Sequence, residues 1–270
     1  MKKIINRPIA SLTIMAVIVC LILGLTSGLV AAATATKEIN LSGFNSVSIG
    51  GSWDVSIVRG ASYKIVVTAP EEYIDTVCTL DNTKLTVQKP NISWSWLRFW
   101  DVSVDGRNKI QITAPDLGEI SFSGSTNGVV SGFKHAKLEL RSGGSSDLTV
   151  TNCQAAKLSI SCSGSSDIAI GQSIVTDLVV NCSGSSKIKA ESCSITNLAL
   201  ELAGSSRFAF INGTVTNLRV DLAGSADVAI NKMSGGKMTG SMSGSCNLTY
   251  SGVISGYGIQ TSGSSKVRME

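Results

Sequence analysis

Histidine occurs once in this chain, proline four times, and aromatic side chains make up only 5% of its 270 residues. Each scarcity removes something. The lone His135 confines any Ser-His-Asp or Cys-His site to one place. Its setting, Phe133-Lys134-His135-Ala136-Lys137, reads as a solvated polar turn between strands. No Cys-x-x-Cys and no paired histidines are present, so the sequence implies no metal and no cofactor. Charged residues are only 16% of the chain, too few for a disordered polymer among so many aliphatic side chains. Its 27 glycines, with serine and threonine in nearly every stretch, leave no room for long helices. Basic residues are in slight excess, with a formal net charge of +4. That excess resides mostly in Lys2, Lys3 and Arg7, for the first 33 residues contain no acid. Without these three, the 23 basic residues fall to 20 against 19 acidic ones. No basic face of the kind that binds nucleic acid remains.

The first 33 residues have the form of an export signal. Lys2, Lys3 and Arg7 precede an apolar run from Ile9 to Leu25, and Val30-Ala31-Ala32-Ala33-Thr34-Ala35 supplies small residues for cleavage. The same run is long enough to stay as an uncleaved membrane anchor. Val19, just before Cys20, is too large for a lipidation site. On either reading the folded part lies outside the cytoplasm, in the envelope, on the cell surface or secreted.

What the sequence has in abundance is a period. Gly124, Gly144, Gly164, Gly184, Gly204, Gly224 and Gly244 follow one another at intervals of twenty, most of them within Ser-Gly-Ser or Ala-Gly-Ser, and Gly263 follows after nineteen. Self-similarity of this length marks a solenoid in which each repeat is one rung. Six, four and two residues before each glycine stand apolar side chains: Leu158, Ile160 and Cys162, then Leu178, Val180 and Cys182, then Leu198, Leu200 and Leu202. Four and six residues after it the alternation resumes, as in Ile168 and Ile170 or Phe208 and Phe210. A period of two is a strand with one buried face. The expected rung is therefore two strands bent at the glycine, with a looser third side near Val175, Ile195 and Val215. A sharp corner calls for positive φ or close backbone approach, which glycine supplies at least cost. The fold class is all-β, a parallel β-helix with rungs of about twenty residues. Residues 119–270 form its regular part, and residues 38–118 a more irregular N-terminal part of the same domain.

The register also places the cysteines. Cys162 and Cys182 share one inward position in adjacent rungs, about 4.8 Å apart if the strands pair in step. A bridge prefers Cβ atoms roughly 3.5–4.5 Å apart. Buried thiols acting as small apolar fillers are expected over disulfides.

In the N-terminal part, strand-like Phe44-Asn45-Ser46-Val47-Ser48-Ile49 leads into Gly51-Ser52-Trp53-Asp54-Val55. Leu85-Thr86-Val87 and Ile112-Thr113-Ala114-Pro115-Asp116-Leu117 follow, then Ser123-Gly124-Ser125 and the glycine-serine rungs. In this order the elements, over about residues 38 to 270, resemble the auto-transporter adhesin head (GIN) family of exported microbial proteins. The resemblance implies a β-helix-like fold and a surface or envelope location, and carries no defined binding residues. The chain lacks the membrane barrel of an autotransporter.

Two side-chain groups invite a functional reading. Asp147 and Asp167 occupy one outward position in adjacent rungs, and Glu201 and Asp221 another. Paired carboxylates serve glycan-cleaving acid–base chemistry or hold Ca²⁺. The first column continues through Lys187, Arg207, Asp227 and Asn247, however, as a solvated polar stripe does. Trp94, Trp96, Phe99 and Trp100 fall within seven residues. Such a loop stacks on sugars or dips into a membrane interface. It serves equally as a lid over the solenoid's side or end, and the lid is expected. The sequence thus points to a non-enzymatic, adhesin-like binding or scaffold module. Its partner would be a surface glycan or protein, or another copy met through the solenoid ends. Membrane contact is confined to the N-terminal segment or the Trp-rich loop. A glycan-active β-helix enzyme is the alternative.

Overall fold

The computed structural model describes residues 34–88 and 108–270, and among these there is no helix. The leader and the segment holding Trp94, Trp96, Phe99 and Trp100 lie outside the described residues.

From residue 119 onward the chain winds as its period requires. Strands β8 (Glu119–Gly124) and β9 (Asn127–Ser131) make one rung. In the next four, an eleven-residue strand is followed by a five-residue one: β10 (Lys134–Gly144) and β11 (Asp147–Thr151), β12 (Gln154–Gly164) and β13 (Asp167–Gly171), β14 (Ile174–Gly184) and β15 (Lys187–Glu191), β16 (Ser194–Gly204) and β17 (Arg207–Ile211). Strands β18 (Thr214–Gly224), β19 (Asp227–Ser234), β20 (Lys237–Gly244), β21 (Asn247–Val253), β22 (Gly256–Thr261) and β23 (Lys266–Met269) complete the shaft. Every strand from β8 to β23 pairs in parallel with its counterpart one rung away. Along the central rungs Leu158, Leu178, Leu198 and Leu218 lie over one another, as do Ile160, Val180, Leu200 and Val220. All eight are buried. The step of nineteen before Gly263 has a visible cause. A bulge between Ile230 and Met233 shifts β19 against β21, so that Ile230 meets Tyr250 but Met233 meets Gly252.

The corner glycines form one column. Gly124, Gly144, Gly164, Gly184, Gly204, Gly224, Gly244 and Gly263 all have positive φ, and Gly51 joins them by pairing with Gly124. A Cβ on Gly184 would stand 2.5 Å from the carbonyl oxygen of Gly164. That oxygen accepts the amide of Ser185 at 2.9 Å, so backbone passes too close for any side chain. One place after the corner serine, Thr126, Ser146, Ser166, Ser186 and Ser206 turn inward and are buried. Ser146 Oγ donates to the Gly143 carbonyl at 3.0 Å and Ser206 Oγ to the Ala203 carbonyl at 3.1 Å, which closes the turn locally.

The N-terminal portion departs from sequential winding. Strands β2 (Ser46–Gly51) and β3 (Trp53–Arg59) form a rung directly against β8 and β9. The rung beyond it is made by later chain, β6 (Lys84–Gln88) and β7 (Asn108–Ala114). Strands β1 (Thr34–Ile39), β4 (Lys64–Pro70) and β5 (Cys78–Asp81) then add antiparallel: β4 to β7, β1 to β4, and β5 to β6. This end is filled by large apolar groups, among them Phe44, Trp53 and Tyr73. Trp53 Nε1 donates to the Gly50 carbonyl at 3.1 Å, which lets the indole be fully buried.

Candidate functional site

The surface most able to act on another molecule is the face formed by the short strands. Counting outward from the cap, it runs β7, β3, β9, β11, β13, β15, β17, β19, β21 and β23. Because strands project alternate side chains, three columns face outward; that of Thr151, Gly171, Glu191 and Ile211 is partly covered, and two are more exposed. One reads Lys109, Asp54, Asn127, Asp147, Asp167, Lys187, Arg207, Asp227, Asn247, Lys266, each residue in register with the next. The other is small or apolar along most of its length, with Val129, Thr149, Ala169, Ala209 and Ala229 interrupted by Lys189. A shallow furrow between them is lined by Asp147, Thr149, Asp167, Ala169, Lys187 and Ala209.

Asp147 and Asp167 do stand side by side, as expected from their spacing. Their geometry is poor for glycoside cleavage, where two carboxyl groups flank the scissile bond from opposite sides. Neighbours in a parallel ladder point the same way, out of a flat sheet. Asp167 also lies 4.0 Å from Lys187 Nζ, and Asp227 takes Arg207 at 3.5 Å, all with exposed side chains. The second pair, on the long-strand face, is more heavily engaged. Asp221 accepts Arg219 Nε at 2.9 Å on one oxygen and Ser241 Oγ at 2.9 Å on the other.

His135 lies inside β10 instead of in a turn, half-buried. Its Nε2 meets Asp116 Oδ2 at 3.1 Å, an arrangement that resembles part of a triad. Its Nδ1 accepts the backbone amide of Lys137 at 3.1 Å. A triad histidine needs one nitrogen for the carboxylate and the other free for the nucleophile. Here both are occupied. Among the described residues, no group of three or more His, Cys, Asp or Glu converges as metal ligands would.

The family model described as "Putative auto-transporter adhesin, head GIN domain" matches residues 43–212, well over half of the chain. The chain belongs to this family. Solved structures agree with it in fold over nearly their whole lengths. A putative adhesin from Parabacteroides merdae superposes with a TM-score of 0.74 at 17% identity, covering 88% of this chain and 96% of that one. A putative lipid binding protein from Parabacteroides distasonis gives 0.72 at 16% identity, with 88% and 96% covered. A putative adhesin from Bacteroides fragilis gives 0.64 at 14%, with 88% and 97% covered. No curated protein matches the sequence. The GIN-type β-solenoid expected from the order of the motifs is thus the fold this chain has.

One expectation is corrected. Cys162 and Cys182 are joined by a disulfide between adjacent rungs. Their Cα atoms stand 4.6 Å apart, inside the range a bridge spans, which the ordinary spacing of paired strands already satisfies. The remaining described cysteines, Cys78, Cys153, Cys193 and Cys246, are buried free thiols, as expected. Burial pushes the Cys78 thiol up to about 12 and raises those of Cys153 and Cys193. At neutral pH these are fillers, since the reactive thiolate is absent.

A second column of corners escaped the sequence reading. Asn152, Gln172, Ser192 and Asn212 have positive φ at twenty-residue intervals, continuing from Gly132. The amides of Asn152, Gln172 and Ser192 reach the next rung, as in Gln172 to the Glu191 carbonyl at 3.1 Å. The asparagines were the available signal, for Asn adopts this conformation more readily than other side chains. On the long-strand face, Asp177, Asn197 and Asn217 form a ladder: Asn197 Nδ2 donates to Asp177 Oδ1 at 2.7 Å, and Asn217 Nδ2 to Asn197 Oδ1 at 2.9 Å.

Proposed function

We propose that this GIN-family chain is a non-enzymatic, exported binding module of the cell envelope or surface, its solenoid a rigid shaft that presents ligand-contacting side chains. The observation that carries the reading is the state of the groups able to do chemistry. His135 has both ring nitrogens engaged, and the carboxylate ladders lie on open sheet faces with partners in place. A family described as adhesin heads supports the same conclusion. The apolar leader, with its small-residue tail, supports export of the module from the cytoplasm. Trp94, Trp96, Phe99 and Trp100 are the proposed ligand contacts, as aromatic rings stack on sugar faces.

The test is a panel of immobilised glycans and matrix proteins, probed with the purified chain. Saturable binding without turnover, lost when Trp94, Trp96 and Trp100 are replaced by serine, is the expected result. Release of reducing ends that disappears in Asp147→Asn/Asp167→Asn or Glu201→Gln/Asp221→Asn would turn the assignment into a glycan-active enzyme. The relative named a lipid binding protein gives a membrane reading some weight. Flotation with liposomes, abolished by the same tryptophan replacements, would establish that reading instead.

A further inference from the structure

The charged column on the short-strand face has an order that open solvation does not require. From Asp147 it reads acid, acid, base, base: Asp147, Asp167, Lys187, Arg207, all exposed. Read backwards, each charge is replaced by its opposite. Outward from the centre the pairs become polar, with Asn127 answering Asp227 and Asp54 answering Asn247, and at the two rims Lys109 answers Lys266, the one like-charge pair. The four central charges are thus complementary to themselves turned end for end.

We propose that this face is a self-association surface, on which two copies lie face to face with their shafts antiparallel. A two-fold axis in the interface, parallel to the strands and level with the gap between Asp167 and Lys187, keeps each column opposite itself and reverses the order of rungs. Asp167 then meets the partner's Lys187, and Asp147 meets the partner's Arg207. Asn127 meets the partner's Asp227 through a polar contact. Each pairing occurs twice by symmetry. The second column fits the same operation. Thr149 faces the partner's Ala209 and Val129 the partner's Ala229, while Ala169 leaves space for the partner's Lys189. Val129 is 44% exposed in the single chain and would be covered.

Other arrangements fit less well. An axis along the shaft would set every charge against its own kind. Moving the centre by half a rung, to Lys187, opposes two lysines. Moving it to the gap between Arg207 and Asp227 gives acceptable pairs, but leaves Asp147 and the strands beyond it uncovered. Size favours the full overlap. Ten strands about 4.8 Å apart, each exposing about five residues at roughly 3.3 Å, present about 800 Å² per copy. That is the amount a standard stable interface buries on each side. Two aligned sheets also tolerate a relative twist of about 30°.

The experiment is a charge exchange between residues three rungs apart. Sedimentation equilibrium of the full chain, purified as the expressing cell processes it, should show a dimer that weakens as salt screens the pairs. Asp147→Arg and Arg207→Asp, each alone, should weaken association at least tenfold or so, by setting like charges against each other. An equimolar mixture of the two variants should recover it, since each introduced charge meets its opposite on the other chain. One chain carrying both changes should dimerise like the wild type, and this variant decides the matter if either single one folds poorly. A wild-type chain still monomeric at about 1 mM overturns the proposal and leaves the face to another kind of partner. So does an Asp147→Arg variant that associates normally, or a mixture and a doubly changed chain that both stay apart.

Discussion

Residues 119–270 climb rung upon rung in sequence order, whereas residues 34–114 build two rungs out of order and close them with antiparallel strands. The contrast follows from what each end of a stack must do. A middle rung finds its hydrogen-bond partners and half its core in its neighbours, so one twenty-residue pattern can repeat. A terminal rung has a neighbour on one side only, and an open row of amides and carbonyls invites unwanted pairing. Strands β1, β4 and β5 supply the missing cover at the N-terminal end, with Phe44 and Trp53 packed beneath. At the other end β23 pairs with β21 alone, and Tyr257 and Met269 remain more than half exposed. Irregular sequence is what a cap requires, because a repeat can only continue the stack.

The contrast can be broken most sharply at glycine. Gly184→Val in the shaft forces a β-branched residue into positive φ against the Gly164 carbonyl. Strain and overpacking together should cost about 3–5 kcal/mol, read as a fall in the urea midpoint. Gly43 has the same backbone sign, φ +82, but open space around its Cβ position. Gly43→Ala should cost only about 1 kcal/mol. Equal losses at the two sites would mean that close rung stacking is not what fixes the glycine column.

Core truncation should separate the regions less widely. Trp53→Ala in the N-terminal rung removes a fully buried indole and should cost about 3–5 kcal/mol. Leu200→Ala, between Val180 and Val220 in the shaft, should cost about 2–4 kcal/mol. A third effect belongs to the shaft alone. The Cys162–Cys182 bridge closes a loop of twenty residues, so replacing both cysteines by alanine should lower stability by about 3 kcal/mol. Reductant should reproduce the loss in the wild-type chain and do nothing to the variant. If reductant leaves the wild-type midpoint unchanged, the two thiols pack without bonding.

These tests also mark how far the sequence could be read. The rung, its inward residues and the charged column were legible because strict spacing and strict alternation leave one register. The Gly124-to-Gly263 column was legible because only one residue type fits that corner. The corner at Asn152, Gln172, Ser192 and Asn212 uses three residue types for one backbone conformation, and the pattern dissolves. The exchanged rungs could not be foreseen, since β2 pairs with β6 and β8 through backbone bonds that carry no side-chain label. The disulfide was not legible because the expectation holds the Cβ atoms at the rung spacing, whereas the Cα separation of Cys162 and Cys182 is already one that a bridge spans. His135 was assigned to a turn because its flanking lysines look like loop, but the long strand begins one residue earlier.

The smallest effect concerns the second rung of the shaft, one removed from the N-terminal rungs. Glu139, on β10, has its carboxyl held below the ordinary value of 4.5, chiefly by the hydrogen bond from Arg141, whose Nη2 lies 2.6 Å away. Burial opposes the shift, and the charges of Arg141 and Lys137 assist it. A carboxyl with a depressed folded pKa favours folding above its unfolded pKa, and that contribution fades as pH falls through the folded value. Glu139→Gln should therefore lower the urea midpoint slightly at pH 7, and the difference from wild type should vanish under acid conditions well below 4.5. The change should be small because Arg141 is 54% exposed and water screens the pair. A difference that persists in acid would show that Glu139 matters through packing on the sheet, not through its charge.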